Sequence, residues 1–215
     1  GDFADMPSLS SYDVGKKSFE GRRYTKDIAA AQEAMSALLT PLYQYNAVAK
    51  LQKKKQYHPR KVMLLGNHEN RINRAINDDP KLEGLISTTD LPYGDWEVHD
   101  FLSPVFIDGI AYSHYFPTGV LGRAATTASA MVSKLHMSCI AGHQQGKQVA
   151  YGKRPDGSTI TCIIAGSCYE HDEDYLGPQG NNHFRGILMA HRVNNGSFDE
   201  CFISLDYLKE RYEQS

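Results

Sequence analysis

The sequence has no excess of charge of either sign, no long apolar run and no closely spaced cysteine pair. Its 215 residues carry 23 lysines and arginines against 25 aspartates and glutamates, so the formal net charge is −2. A chain-wide basic surface for nucleic acid is therefore excluded, and any such contact must be local. No stretch has the length of a membrane span or the pattern of a signal peptide, so we expect a cytoplasmic protein.

Several signatures of other protein classes are also missing. There is no H-E-x-x-H and no cysteine-containing zinc motif, which disfavours a metalloprotease or a deaminase. The four cysteines lie in or beside apolar, strand-like runs without C-x-x-C spacing, and buried free thiols in a reducing cytosol are favoured over disulfides or zinc. They are Cys139, Cys162, Cys168 and Cys201. Without repeats, low-complexity segments or linkers, residues 1–215 are predicted to form a single domain.

Three short apolar runs each end on a polar side chain that can bind a metal. Val62–Leu65 leads into Gly66-Asn67-His68-Glu69, Ile110–Ser113 leads into His114, and Cys139–Gly142 leads into His143. Gly1–Asp5 is a fourth candidate strand. Ligand sites in open α/β sheets gather at the carboxyl ends of strands. The pattern therefore predicts that these side chains converge on one site.

The same residues, in this order, resemble the calcineurin-like metallophosphoesterase superfamily. Gly1-Asp2-Phe3-Ala4-Asp5 is similar to its G-D-x-x-D block and Gly66-Asn67-His68-Glu69 to its G-N-H-[ED] block. Ser113-His114 matches its lone histidine, and Gly142-His143-Gln144-Gln145 matches part of G-H-x-H. The wider pattern, including Gly142-His143-Gln144-Gln145-Gly146, also resembles a phage-encoded branch of this superfamily. The resemblance implies an α/β fold, a β-sandwich flanked by helices, whose N-terminal β-α-β portion is missing from this chain.

The resemblance also implies the metal ligands and the catalytic pair. Asp2 would be the bridging carboxylate, with Asn67, His114 and His143 completing one metal site and Gln145 in a second. Mixed nitrogen and oxygen ligands suit Mn, with Fe, Zn, Mg or Ni as alternatives. His68 would be the general acid that protonates the leaving oxygen, and Asp5 would hold its ring.

Two departures from the family pattern concern the metals. The D-x-H block is absent, and Gln145 replaces the last histidine of G-H-x-H with a neutral, weaker donor. The complete family site holds two ions, and we expect this chain to hold one tightly. An upstream segment or a second chain that completes the sheet is a predicted partner.

Two positions that select the substrate in protein serine/threonine phosphatases are different in this chain. The sites of those enzymes are similar to this one but have arginines where this chain has Met6 and Leu65, so a protein phosphatase is disfavoured. Arg71, Arg74 and Arg123 are the candidates for gripping a phosphate ester, and for each a surface or capping role is the alternative. The predicted function is metal-dependent hydrolysis of a phosphomonoester or phosphodiester, with DNA or RNA among the substrates. The alternative is a metal-binding remnant without catalysis.

The first half of the chain is predicted to be mainly helical. Apolar residues at three- and four-residue steps indicate an amphipathic helix from Thr25 to about Gln56, kinked at Pro41. Its basic end can be interpreted as a helix terminus favoured by the macrodipole or as a phosphate-backbone patch. Shorter helices are predicted at Arg71–Ile76 and Leu82–Ile86, and another at Leu121–Leu135.

The second half is predicted to be mainly β. Asp108-Gly109 between two apolar runs indicates a hairpin, and turns at 155–157 and 194–196 separate further strands, before a terminal helix at Asp206–Tyr212. The acidic run Glu170–Asp174 is interpreted as a solvated loop rather than a further metal site. Helices followed by hairpins predict the α/β class.

Overall fold

The computed structural model describes residues 1–173 and 176–213 and has a mixed α/β architecture. The chain divides into two compact units, Gly1–Phe101 and Leu102–Ser215. Whether they belong to one domain stays a prediction. Within the described residues, no helix combines the length and apolarity needed to cross a membrane.

The first unit is built around one long helix and a small parallel sheet. Helix α1 spans Tyr24–Leu51 and helix α2 spans Arg71–Asp78, while strand β1, Val62–Leu64, pairs in parallel with β2, Glu97–His99. Four short 3₁₀ turns lie in the connections, at Pro7–Leu9, Lys17–Phe19, Pro80–Leu82 and Thr88–Asp90.

The core of this unit fixes the start of the chain beside the end of β1. Ala4 and Met6 are buried in one cluster with Met35 of α1, Leu65 and Ile72. Fully burying a methionine or leucine contributes about 1.5–3 kcal/mol. The N-terminal segment is therefore held by apolar packing as well as by the hydrogen bonds of the site.

The second unit contains a five-stranded mixed sheet with strand order β3-β4-β5-β7-β6. Strands β4, β5 and β7 are parallel, and the two outer strands pair antiparallel. The strands are β3 Val105–Ile107, β4 Ile110–Ser113, β5 Cys139–Ala141, β6 Lys147–Lys153 and β7 Thr159–Ala165. A separate antiparallel pair is formed by β8, Gly186–Asn194, and β9, Ser197–Ser204. Helices α3, Ala128–Leu135, α4, Gly177–Asn181, and α5, Leu205–Tyr212, complete the unit.

The sheet is buried on both faces, as central parallel strands require. One face packs with Met131 of α3 around Cys139 and Cys162, and the other packs Ile110 and Ile163 against Phe198 of β9. Because β4 and β5 are adjacent and parallel, the residues that follow them leave the sheet at the same edge.

Helix α1 ends earlier than the sequence pattern predicts. The last helical residue is Leu51 rather than Gln56, because Lys53 adopts a left-handed backbone conformation, with φ of 54°. The Lys54 amide then donates to the Ala49 carbonyl at 2.8 Å and closes the helix. The helix runs through Pro41 without interruption.

Three other local predictions are wrong. Pro80 starts a 3₁₀ turn in place of the helix predicted at Leu82–Ile86. Helix α3 begins at Ala128 rather than Leu121, because Thr127 is extended and its side chain caps the helix by accepting from the Ala130 amide at 3.1 Å, and because Leu121 has a positive φ of 59°. Gly1–Asp5 forms no strand.

The Asp108-Gly109 hairpin and the state of two cysteines are confirmed. Both turn residues have positive φ, 49° and 81°, as a two-residue hairpin turn requires.

All four cysteines are free, and Cys139 and Cys162 are buried. Cys168 is exposed, contrary to the prediction, because it follows the end of β7.

Candidate active site

In the first unit, the turn after β1 wraps tightly around the side chain of Asp2. A Cβ atom at Gly66 would lie 2.0 Å from Oδ1 of Asp2, so only glycine fits at this position. The same Oδ1 accepts a hydrogen bond from the His68 amide at 2.9 Å. The carboxylate of Asp2 is thus held against the turn that carries Asn67 and His68.

The clamp between this turn and the start of the chain is Glu69, whose side chain is fully buried. Its carboxylate accepts from the amides of Asp2 at 2.8 Å, Ala4 at 3.0 Å and Gly66 at 2.8 Å. The Tyr93 hydroxyl also donates to it, at 3.0 Å. A buried carboxylate needs this number of donors to offset its lost hydration. Glu69 therefore fixes the segment that bears Asp2 relative to the turn that bears His68.

His68 is part of a three-residue polar group with Asp5 and Arg71. Nδ1 of His68 lies 2.5 Å from Oδ1 of Asp5, and Nη2 of Arg71 lies 3.3 Å from Nε2 of His68. Nη1 of Arg71 donates to the Asp5 carbonyl at 2.6 Å and lies 3.3 Å from Oδ1 of Asp5. An ionised carboxylate only accepts, so Nδ1 of His68 carries the hydrogen of the shorter contact.

The electrostatics of this group favour an ionised Asp5. The hydrogen bond from His68 lowers the pKa of Asp5 below its ordinary value, and the charges of His68, Arg71 and Arg22 act in the same direction, against partial burial. An ionised Asp5 accepts from Nδ1 and so orients the imidazole.

In the second unit, two histidine rings meet beyond the ends of β4 and β5. Nε2 of His114 lies 3.1 Å from Nδ1 of His143, and the ring centroids are 5.0 Å apart. The Gly142 amide donates to the His114 carbonyl at 3.0 Å, which extends the pairing of the two strands to this point. His114 is buried, and His143 is exposed with a left-handed φ of 67°.

This histidine pair fits a metal ion by the chemistry and spacing of its donors. Two nitrogens that bind one tetrahedral zinc at about 2.1 Å lie roughly 3.4 Å apart, close to the observed separation. A backbone strained at His143 is also the kind of outlier that accompanies functional sites. The pair can supply two imidazole ligands.

The remaining predicted site residues differ in their surroundings. Asn67 and Gln145 are half-buried, each within its own unit. Arg74 and Arg123 are exposed, and their side chains form no ion pair or hydrogen bond with the described residues. Arg71 is instead largely buried and already engaged with Asp5 and His68.

The acidic run after β7 does not gather into a metal site in the part of the chain that the structure describes. His171 pairs with Glu173 at 3.3 Å, its ring stacks on Tyr169 with centroids 4.4 Å apart, and Asp172 pairs with Arg185 at 2.7 Å. Asp174 lies outside the described residues. These contacts agree with a loop of solvated charges.

Comparison with known proteins provides no identity for the chain. No family model, no curated protein and no solved structure matches it. Any function must therefore be argued from the residues and their geometry.

Sequence reasoning assigned no role to Glu69 or Tyr93. Glu69 belongs to the Gly66–Glu69 motif, and its place in that motif is the sequence feature that indicates a role for it. Tyr93 lies in an irregular segment, and no local pattern shows that its hydroxyl reaches Glu69, 24 residues away.

Proposed function

We propose that this chain is a metal-dependent phosphoesterase of the calcineurin-like class, acting on phosphomonoesters or phosphodiesters in the cytoplasm. The observation that carries the proposal is the convergence of Asp2 and Asp5 on His68. Asp2 binds the amide of His68, and Asp5 binds its ring. Asp2, a carboxylate that can bind a metal, thereby lies beside His68, an oriented proton donor. Metal-dependent hydrolysis of a phosphate ester uses both of these groups.

We assign the metal ligands from the sequence motifs. They are Asp2, Asn67, His114 and His143, whose carboxylate, amide and imidazole groups are metal donors. A divalent ion bound by them would neutralise phosphoryl charge and lower the pKa of a bound water. Mn is the first choice for this mixed donor set, with Fe, Zn, Mg or Ni as alternatives. We assign Gln145 to a second, weaker site.

His68 is the proton donor in this proposal. Nδ1 donates to Asp5, and a proton on Nε2 is transferred to the leaving oxygen of the ester, which leaves a neutral ring held by the same carboxylate. Nη2 of Arg71, which can only donate, lies 3.3 Å from the same Nε2, so in this proposal Arg71 turns from Nε2 toward the ester oxygens when His68 carries the transferred proton. Arg74 and Arg123 remain candidates for the distal phosphate oxygens.

The burial of Met6 and Leu65 argues against protein phosphatase activity. Met6 and Leu65, which stand where that resemblance would require arginines, are 1% and 2% exposed and pack in the core of the first unit. These uncharged, buried side chains cannot bind the phosphate of a phosphorylated residue as arginines would.

The leaving-group dependence of hydrolysis tests the proposal. With added Mn²⁺, His68→Ala should lose roughly 10²–10⁴-fold in turnover of diphenyl phosphate, whose leaving group needs a proton. The loss should be smaller with bis(p-nitrophenyl) phosphate, whose leaving group is stable as an anion. The matched control is His191→Ala, an exposed histidine on β8.

A metal-binding protein without hydrolytic activity is the competing function. The neutral Gln145, in place of the last histidine of G-H-x-H, favours it. A wild-type chain whose metal-dependent rate does not exceed the protein-free rate with either ester would establish this alternative. Equal, measurable rates of the wild type and His68→Ala with both esters would refute the proposed acid.

A further inference from the structure

A run of lysines lies just beyond the end of α1 and is exposed to solvent. Lys53, Lys54 and Lys55 follow the last helical residue, Leu51. Their side chains, and that of Lys50, form no ion pair or hydrogen bond with the residues that the structure describes. The positive charge of this segment is therefore not neutralised by the fold.

Capping of α1 does not account for these lysines. Backbone amides satisfy the last carbonyls of the helix, because Gln52 donates to Val48, Lys53 to Lys50 and Lys54 to Ala49. The effect of a helix dipole falls off within the last turn, and three lysines in this run follow that turn.

The charge is also segregated along the sequence. No acidic residue occurs between Glu33 and Glu69, although the whole chain has a net charge of −2. The two cations that follow the run are paired instead, Arg60 with Glu97 at 2.8 Å and Lys61 with Asp95 at 3.5 Å. The unpaired positive charge in this stretch is thus confined to the lysines at residues 50–55.

Tyr43, whose hydroxyl donates to Asp95 at 2.5 Å, lies on the same face of α1 as Lys50. Tyr43, Asn46 and Lys50 are spaced three and four residues apart, so they share one helix face. The Asn46 side chain holds Tyr57 by two hydrogen bonds, from the Tyr57 amide at 2.7 Å and to its carbonyl at 2.8 Å. The chain after the lysines is therefore folded back onto α1. Tyr43 is 47% exposed and Tyr57 is 61% exposed.

A surface cavity of about 310 Å³ adjoins these tyrosines. It is lined by Leu42, Tyr43, Asn46, His58, Pro59 and Lys61. The surface thus combines unpaired lysines, exposed aromatic rings and a recess with polar and apolar walls.

We propose that this surface, Tyr43–Lys61, binds single-stranded nucleic acid. The lysines contact backbone phosphates, and the rings of Tyr43 and Tyr57 stack on unpaired bases. Charge complementarity favours a polyanion over a second copy of the chain, since two such segments would repel each other. The exposed rings favour a single strand over a duplex, whose bases are already stacked.

This inference rests on the proposed phosphoesterase function and names its substrate class. Binding is nevertheless measurable without hydrolysis. Assays on the full chain in EDTA separate the two claims, because the surface includes none of the proposed metal ligands.

The test uses two triple variants of equal charge change. Lys53, Lys54 and Lys55 are replaced by glutamine in one, and the exposed Lys17, Lys26 and Lys81 of the same unit in the other. Fluorescence anisotropy measures binding of a labelled oligo(dT) of about 16 nucleotides and of a duplex of equal length. Circular dichroism checks that both variants are folded.

The first variant should weaken single-strand binding by about tenfold or more near 50 mM salt and reduce the log–log salt slope by about 2. The second should match the wild type. Replacing Tyr43 and Tyr57 with alanine should reduce single-strand affinity roughly tenfold with little effect on the duplex. Equal losses in both lysine variants would overturn the proposal, and so would dimerisation through this surface or tighter binding to phosphatidylserine vesicles than to oligo(dT).

Discussion

Nδ1 of His68 lies 2.5 Å from Oδ1 of Asp5, although the two residues are 63 positions apart in the chain. Their contact is a tertiary one and does not arise from neighbouring positions in the sequence. The approach depends on Glu69, which binds the amides of Asp2 and Ala4 and so holds the segment that carries Asp5. The orientation of the proposed proton donor is thus set by a buried carboxylate that does not touch its ring.

The pairing of Asp5 with His68 should make stability depend on pH. The hydrogen bond from His68 lowers the pKa of Asp5 from its ordinary value of 3.8. A lowered carboxyl pKa contributes stability above the ordinary value, and this contribution is lost as the pH falls through the folded value. Asp5→Asn should therefore destabilise the protein near neutrality, with a gap that narrows below about pH 4.

Guanidinium unfolding of the wild type, Asp5→Asn, His68→Ala and the double variant measures this gap. The pH-dependent part should shrink in the His68→Ala background, because the partner is missing. A gap of the same size at low pH and at neutrality would show that Asp5 acts by packing or capping instead.

Replacing Glu69 should reduce the stability of the protein more than removing the Tyr93 hydroxyl that binds it. Glu69→Gln keeps the volume but turns one acceptor into a donor facing backbone amides, so we expect a loss of about 2–4 kcal/mol in the free energy of unfolding. Tyr93→Phe removes one donor and should cost about 1 kcal/mol.

The exposed Glu83→Gln is the matched control and should change stability by less than about 0.5 kcal/mol. Urea denaturation provides the comparison. If Glu69→Gln were as mild as Glu83→Gln, the clamp described here would not hold the N-terminal segment.

Two hairpin turns in the second unit meet backbone to backbone, which gives a prediction about glycine. A Cβ at Gly196 would lie 2.6 Å from the Gly109 carbonyl oxygen, whereas a Cβ at Gly157, with the same φ of 84°, meets nothing within 4 Å. Gly157→Ala should cost only the conformational strain, about 1–2 kcal/mol. Gly196→Ala should cost about 1–3 kcal/mol more in thermal or chemical unfolding. Equal costs would mean that the two turns do not pack as described.

The elements predicted correctly from sequence are those fixed by local chemistry. Asp108-Gly109 can adopt the positive φ values of a hairpin, and Cys139–Ala141 is apolar enough to be a buried strand. Because β4 and β5 both end on histidine motifs, the contact between His114 and His143 follows once the strands are adjacent and parallel. The metal and catalytic roles of these residues stay predictions.

The wrong predictions arose where periodicity competed with backbone conformation. Apolar spacing from Leu121 onward fits a helix, but Leu121 and Gly122 are left-handed and Thr127 is extended, so the helix starts at Ala128. Lys53 ends α1 in the same way. The partners of Glu69 could not be derived from sequence, because they are backbone amides and one distant hydroxyl, which leave no residue pattern.

Titration calorimetry of the chelator-stripped chain with Mn²⁺ tests the proposal that Asp2, Asn67, His114 and His143 are the ligands of one metal ion. We predict one tight site in the wild type and in His191→Ala, and loss of that site in Asp2→Ala and His143→Ala, because removing one of four ligands leaves an incomplete shell. A second ion should bind only at high metal concentration. Absence of binding, two equally tight sites, or an unchanged isotherm in His143→Ala would contradict this ligand assignment.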